Sequence, residues 1–201
     1  MSKELRDNFR SLVKKVQVTR NNKSAKWFKE VIMDSKKGIK SHVIQVPQVG
    51  RLYQFIYDAK TKEDLEFFDV YPLSICVAIG EDRWYSINLH YLPPKVREGF
   101  LEDLLVKYAD KKTQKRQTVA QSTVLKLDWS KIRNFDQAIF EHALTSYLPS
   151  QYKSNLQEIH PKYWHLASTL PSQLFVSYKG KKGKKKGKRT LYEAKKVWSR
   201  L

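Results

Sequence analysis

Between residues 52 and 91 the chain repeats with a period of two, and nothing else in it constrains the fold so tightly. Leu52–Asp58 sets Tyr53, Phe55 and Tyr57 against Leu52, Gln54 and Ile56. Leu73–Ile79 sets Leu73, Ile75, Val77 and Ile79 against the small Ser74, Cys76 and Ala78. Trp84–Tyr91 sets Tyr85, Ile87, Leu89 and Tyr91 against Trp84, Ser86, Asn88 and His90. Successive side chains of a strand point to opposite faces, so each stretch predicts a strand. Gly80-Glu81-Asp82-Arg83 predicts the hairpin loop joining the last two. His42–Val46, ended by Pro47 and Gly50, is a further short candidate. Three or four antiparallel strands with an aromatic face predict a small twisted sheet or half-barrel.

On either side the period becomes helical. Leu5, Phe9, Leu12, Val13 and Val16 form one stripe, with Arg6, Arg10, Lys14 and Lys15 elsewhere. A second helix is predicted from Ser24, carrying Trp27, Phe28, Val31 and Ile32 up to Lys36-Lys37-Gly38. Pro93-Pro94 opens a helix over approximately Lys95–Tyr108, with Val96, Phe100, Leu101, Leu104, Leu105 and Tyr108 inward. An apolar alternation around Val124–Leu127 precedes another helix, approximately Ser130–Tyr147. Residues 149–176 read as irregular chain wrapped on the core, and Leu191, Ala194, Lys195 and Trp198 predict a short terminal helix. The class is α+β: a small antiparallel sheet flanked by helices, with a disordered basic C-terminal segment. The pattern divides into a basic helical arm (1–40), a core domain (41–178) and a Lys/Gly-rich tail with its short helix (179–201).

With 41% hydrophobic and 12% aromatic residues, the chain can build a real core. The single cysteine, Cys76, excludes an intramolecular disulfide and a cysteine-rich zinc site. The first residues lack the apolar stretch of a secretory signal, and no run approaches the ~20 apolar residues of a membrane span. A soluble protein of a reducing compartment is expected.

The net charge of +19 is unevenly placed. Residues 41–110 are net −4, whereas 1–40 are +8, 111–178 are +5 and 179–201 are +10. Lys179, Lys181, Lys182, Lys184, Lys185, Lys186, Lys188 and Arg189 put eight cations in eleven residues, spaced by three glycines. Such a run cannot bury itself and is expected to be disordered until it meets a partner. It can follow a phosphate backbone without reading bases. A solubility tail or an anionic-membrane anchor is the competing explanation, but the run lacks the apolar companion that anchoring needs. Lys14, Lys15, Lys36, Lys37, Lys111, Lys112, Lys115 and Arg116 are the secondary candidates for phosphate contact. Double-stranded DNA is the expected partner, with no membrane and no small-molecule substrate.

Catalytic patterns are sparse. Asp58-Ala59-Lys60 matches half of a metal-dependent nuclease motif, and Glu63, Asp64, Glu66 and Asp69 could add ligands. The upstream acid is missing, the nearest being Asp34, so residues 58–64 read more simply as a charged turn. His42, His90, His142, His160 and His165 have no metal-ligand spacing, and no nucleophile elbow, phosphate loop or dinucleotide fingerprint occurs. No catalytic residue, cofactor or metal is expected. Tyr53, Phe55, Tyr57, Tyr85, Ile87 and Tyr91 could make a base-stacking platform, but the acidic setting favours their packing in a core.

One block carries a resemblance. It comprises Gly50–Lys62, then Phe67-Phe68-Asp69-Val70-Tyr71-Pro72-Leu73, then Ile87-Asn88-Leu89-His90-Tyr91-Leu92-Pro93. Tyr163-Trp164 and Leu170-Pro171-Ser172-Gln173-Leu174-Phe175 follow. The pattern, over approximately residues 50–176, resembles virion-associated proteins of T-even-like tailed bacteriophages, in particular the DNA end protector family. The resemblance implies a non-enzymatic virion protein, present in host cytoplasm during assembly, that caps packaged DNA and docks to other virion proteins. It implies no catalytic residues; Asp58, Asp69, Pro72, Asn88 and His90 become turn and packing positions. Lys162, before Tyr163-Trp164, departs from the family's expected Glu-Trp element. Two rivals remain: a head, neck, tail or baseplate assembly module binding protein partners, and a nuclease using Asp58 and Lys60.

Overall fold

Leu52, Ile75 and Ile87 point to one side of a five-stranded sheet, and Tyr53, Cys76 and Trp84 to the other, as their alternation requires. The computed structural model describes residues 7–8, 10–12, 14, 46–112, 137–159, 161–169, 172–178 and 190–200. Strands are β1 (Leu52–Gln54), β2 (Phe68–Asp69), β3 (Leu73–Ile79), β4 (Trp84–Asn88), β5 (Leu144–Tyr147), β6 (Gln157–Ile159), β7 (Phe175–Ser177) and β8 (Thr190–Tyr192). Helices are α1 (Pro94–Lys112), α2 (Gln137–Ala143), α3 (Trp164–Thr169) and α4 (Ala194–Trp198). The larger sheet runs β5-β4-β3-β1-β6 and the smaller β2-β7-β8, all pairs antiparallel. The α+β class holds.

Each face of the larger sheet has its own core. On one side Leu52, Leu73, Ile75 and Ile87 meet Phe100, Leu101 and Leu104 of α1, Phe140 of α2, Trp164 of α3 and Val197 of α4. On the other, Tyr53, Phe55, Tyr57, Trp84 and Tyr147 make an aromatic cluster with Phe68 and Val176 of the smaller sheet. Phe55 is its centre, with the rings of Tyr57, Trp84, Tyr147 and Tyr152 between 5.0 and 6.2 Å away. Edge-to-face contacts of this kind add about 0.5–1.5 kcal/mol each beyond area burial. Of the six residues considered for base stacking, Tyr85 alone is exposed, at 46%. The aromatic face is interior.

Four segments differ from the sequence reading, the first being residues 149–176, which were expected to be irregular but hold β6, α3 and the start of β7. The strand at Leu52 stops at Gln54, and the chain then crosses over so that Tyr57 bridges Tyr152. At Asn88 the side-chain oxygen accepts from the His90 N–H at 3.0 Å, which turns Leu89–Tyr91 into a 3-10 turn. The helix expected to reach Tyr147 ends at Ala143, because Leu144–Tyr147 completes the free edge of β4, with Ser86 and Thr145 hydroxyls 2.9 Å apart. The Gly80–Arg83 loop is as expected, closed by the Gly80 N–H on the Arg83 carbonyl. Residues 42–45 of the predicted first strand, the helix at 24–32, the Val124–Leu127 piece and the run 179–189 lie outside the described residues.

Gln54 breaks the pattern. It sits on the apolar face of β1, 2% exposed, and neither atom of its amide has a hydrogen-bond partner among the described residues. A buried polar group without a partner costs about 1–3 kcal/mol. Gln54→Leu is therefore expected to raise stability by about 1–2 kcal/mol. Urea unfolding checks this; an unchanged or lower midpoint would show that the amide is satisfied in solution.

Candidate nucleic-acid interface

Ser177 and Thr190 are directly paired across β7 and β8, so the Lys/Gly-rich run connects two strands of one hairpin. Both of its roots are seated on the body. Before the run, Tyr178 stacks on Phe68 with ring centroids 6.1 Å apart, and the Lys62 ammonium lies 5.1 Å from the Tyr178 ring centre. After it, residues 190–200, grouped by sequence with the tail, supply β8 and the predicted terminal helix as α4. Val197 is wholly buried, the Trp198 indole N–H donates to the His90 carbonyl at 2.9 Å, and Arg200 pairs with Glu66 and covers the Tyr192 ring.

A buried polar network fixes the ground beneath these roots. Asp69, on β2, accepts from the Tyr71 and Leu174 backbone N–H groups through Oδ1, at 3.0 and 3.3 Å. Its Oδ2 takes the Asn88 amide at 3.2 Å and His90 Nδ1 at 2.6 Å. Asn88 also donates to the Tyr147 hydroxyl, which takes a further bond from Ser74. With Nδ1 protonated toward the carboxylate, His90 Nε2 accepts from the Ser172 hydroxyl at 2.9 Å. Ser172, His90 and Asp69 thus have the order of a hydrolase relay. Their depth makes them structural: His90 is 0% exposed and Ser172 6%, so a substrate carbonyl has no access to the hydroxyl. Neither the histidine spacing nor the serine pattern in the sequence signals this triple, since its members come together only through the paired β2 and β7.

Arg97 is the second buried charge. Its guanidinium donates to the carbonyls of Leu89, Leu92 and Ser168, binding the 3-10 turn to α1 and the last turn of α3. Burial holds its pKa down to about 10, with the Asp69 charge pulling the other way. The Cys76 thiol, also interior, is pushed up to about 12 by burial and is unreactive on that account.

Three of the sixteen predicted phosphate-contacting residues fall among the described ones. Lys14 is exposed on the N-terminal helix, which Arg10 ties to Glu102 of α1 at 3.0 Å. Lys111 and Lys112 are the last residues of α1. Lys15, Lys36, Lys37, Lys115, Arg116 and all eight cations from Lys179 to Arg189 lie outside the described residues. The nuclease candidates do not converge. Asp58 is engaged by Lys62 at 2.8 Å and Asp69 belongs to the buried network, while Glu63, Asp64 and Glu66 are exposed. Among the described residues no three His, Cys, Asp or Glu side chains group as metal ligands. No helix among them is long and apolar enough to cross a membrane.

The class to which this arrangement belongs is a bacteriophage one. The chain is a member of the family described as phage T4 terminal DNA protecting protein, whose family model matches residues 1–201. The match extends beyond the block at 50–176 to both basic ends. No curated protein and no solved structure matches the chain.

His90 gives the network a pH dependence. Burial lowers its pKa below the ordinary value, opposed by the Asp69 carboxylate, so the fold holds the ring neutral. Below about pH 6.5 the unfolded chain takes up a proton that the fold refuses, and stability is lost as pH falls toward the lower folded value. The thermal midpoint is expected to be lower at pH 5.5 than at pH 7.5, with a smaller drop in His90→Gln. A midpoint that rises on acidification would mean that His90 is charged in the fold.

Proposed function

We propose that this protein shields the ends of double-stranded DNA in the phage virion, holding phosphates through its basic segments without reading sequence and without catalysing a reaction. The observation that carries the reading is the match of the whole chain to the terminal DNA protecting family. Charge placement supports it. The densest cations, Lys179–Arg189, occupy a connection between two strands of the rigid body, while the middle of the chain is net acidic. A phosphate backbone is drawn to the first and repelled by the second. The first basic helix and the end of α1, with Lys14, Lys111 and Lys112, add weaker contacts. The two-sided core makes a body suited to docking on other virion proteins, in host cytoplasm during assembly and in the particle afterwards.

The nuclease alternative finds no support at Asp58, whose carboxylate is held by Lys62. Two-metal hydrolysis needs several carboxylates on one cation, and the acids nearby are turned to solvent or to the interior.

The salt dependence of binding tests the reading. If all eight cations engage phosphates, the log–log slope of affinity against salt on linear duplex is roughly −7. Replacing the eight by glutamine at constant length should remove most of that slope and weaken binding by at least about 100-fold at low salt. A slope near zero, or an unchanged affinity in the glutamine variant, would refute it. Mg²⁺-dependent cleavage abolished by Asp58→Ala would establish the nuclease instead.

A further inference from the structure

The N-terminal helix is basic, yet its cations are already answered inside the molecule. Asp7, Asn8, Arg10, Ser11 and Lys14 are exposed, and Leu12 is half-buried. Arg10 Nε donates to Glu102 Oε2 of α1 at 3.0 Å, with the carboxylate side chain 6% exposed and the guanidinium 57%. One turn on from Arg10 comes Lys14, and one turn back from Glu102 comes Glu98. Residues four apart share a helix face at about 5–6 Å, so the two helices carry opposite charges at the same spacing. Burial and the Glu102 charge push the Glu98 carboxyl above its ordinary range, while the Arg10 and Lys14 charges pull it down. Both cations thus lie within reach of the Glu98 charge.

We infer that Glu98 and Glu102 are an internal stand-in for DNA phosphates: they hold the N-terminal helix on α1 in the free protein, and duplex DNA draws Arg10 and Lys14 away. The contact is autoinhibitory, because the same cations serve the acids or the duplex but not both. The inference rests on the DNA-end reading above and adds how the N-terminal cations are kept in reserve.

The pair is built for exchange as well as for holding. The interior Glu102 carboxylate needs a counter-charge, which keeps the helix seated when no polyanion is present. Arg10 is more than half exposed, so a phosphate can approach it from the solvent side. A guanidinium donates to phosphate in the same forked geometry as to carboxylate, and the transfer keeps its hydrogen bonds. Charge density then decides the direction. A duplex carries one charge per about 1.7 Å of axis, and two carboxylates about 5–6 Å apart do not match it. The N-terminal cations add to binding only as far as DNA outcompetes α1.

The experiment separates the arm from simple charge. Full-length Glu98→Gln/Glu102→Gln is compared with Glu63→Gln/Asp64→Asn, which removes the same charge from exposed acids of the turn before β2. On linear duplex at low salt the α1 variant is expected to bind about tenfold tighter than wild type, and the turn variant within about twofold of it. Glu98→Gln alone keeps the buried carboxylate and should gain about threefold; it carries the test if the double variant does not fold. A second readout follows the acid itself. Carbodiimide labelling of Glu98, read by mass spectrometry, should rise at least about threefold when duplex is added to the wild type, and should already be raised in Arg10→Gln without DNA. Equal gains in the α1 and turn variants, or Glu98 labelling that stays level or falls with duplex, overturn the stand-in. Wild-type protein that binds no duplex overturns the DNA reading itself, and the exchange with it.

Discussion

The carboxylate of Asp69 accepts four hydrogen bonds, and they reach from β2 to the ends of β4 and to the lead into β7. Because two donors are side chains from the β4 end and one is the Leu174 backbone, this single group locks the smaller sheet onto the larger. It is interior, with its side chain 1% exposed. A buried charge is tolerated only when its lone pairs are filled, and removing its partners one at a time is far costlier than replacing the set together. The network is consequently an all-or-none object. His90 extends it to Ser172, Tyr147 extends it to Ser74, and the His90 carbonyl extends it to α4.

The parts of the fold that were legible in the sequence are those with local repetition. Seven residues of alternation gave β3, and the Gly80–Arg83 loop made its pairing with β4 readable. The two-residue β2 and the three-residue β7 and β8 are too short to show a period, and β2 depends on a partner, β7, more than a hundred residues away. Leu144 and Tyr147 continue the helical spacing of Phe140 and Ala143, so the local pattern pointed to helix. The unpaired edge of β4 and the aromatic core outweighed that preference. Asp69, Asn88 and His90 were recognisable as turn and packing positions, but their union with Ser172 was not. Nothing in the helical stripe of α1 marks Arg97 as interior, because its partners are carbonyls and carbonyls leave no trace in composition.

The interface was legible as charge and illegible as geometry. Eight cations in eleven residues are the composition from which a polyanion contact is proposed. What the residue string does not reveal is that Leu191 and Tyr192 return to pair with β7, since a three-residue strand after a glycine-rich run resembles any short apolar remnant. Leu191, Ala194, Lys195 and Trp198 gave the helix, yet the burial of Val197 follows from its packing in the core that holds Tyr91 and Phe175. The densest charge and the longest strands are thereby separated along the sequence. Strands β1 to β4 and most of α1 draw on the net-acidic residues 41–110, and the densest cations follow β7 in the sequence.

That placement has a consequence for how such a protein can change over time. A hairpin turn is the part of a sheet where length is cheapest to alter, because each doubling of a loop costs only about 0.6 kcal/mol in closure entropy. The β7–β8 pairing and the Trp198 seat on His90 use none of the lysines between Ser177 and Thr190. Cation number, glycine spacing and loop length can drift between lineages with little effect on the stability of the body. Selection on charge and selection on stability then act on different residues of one chain.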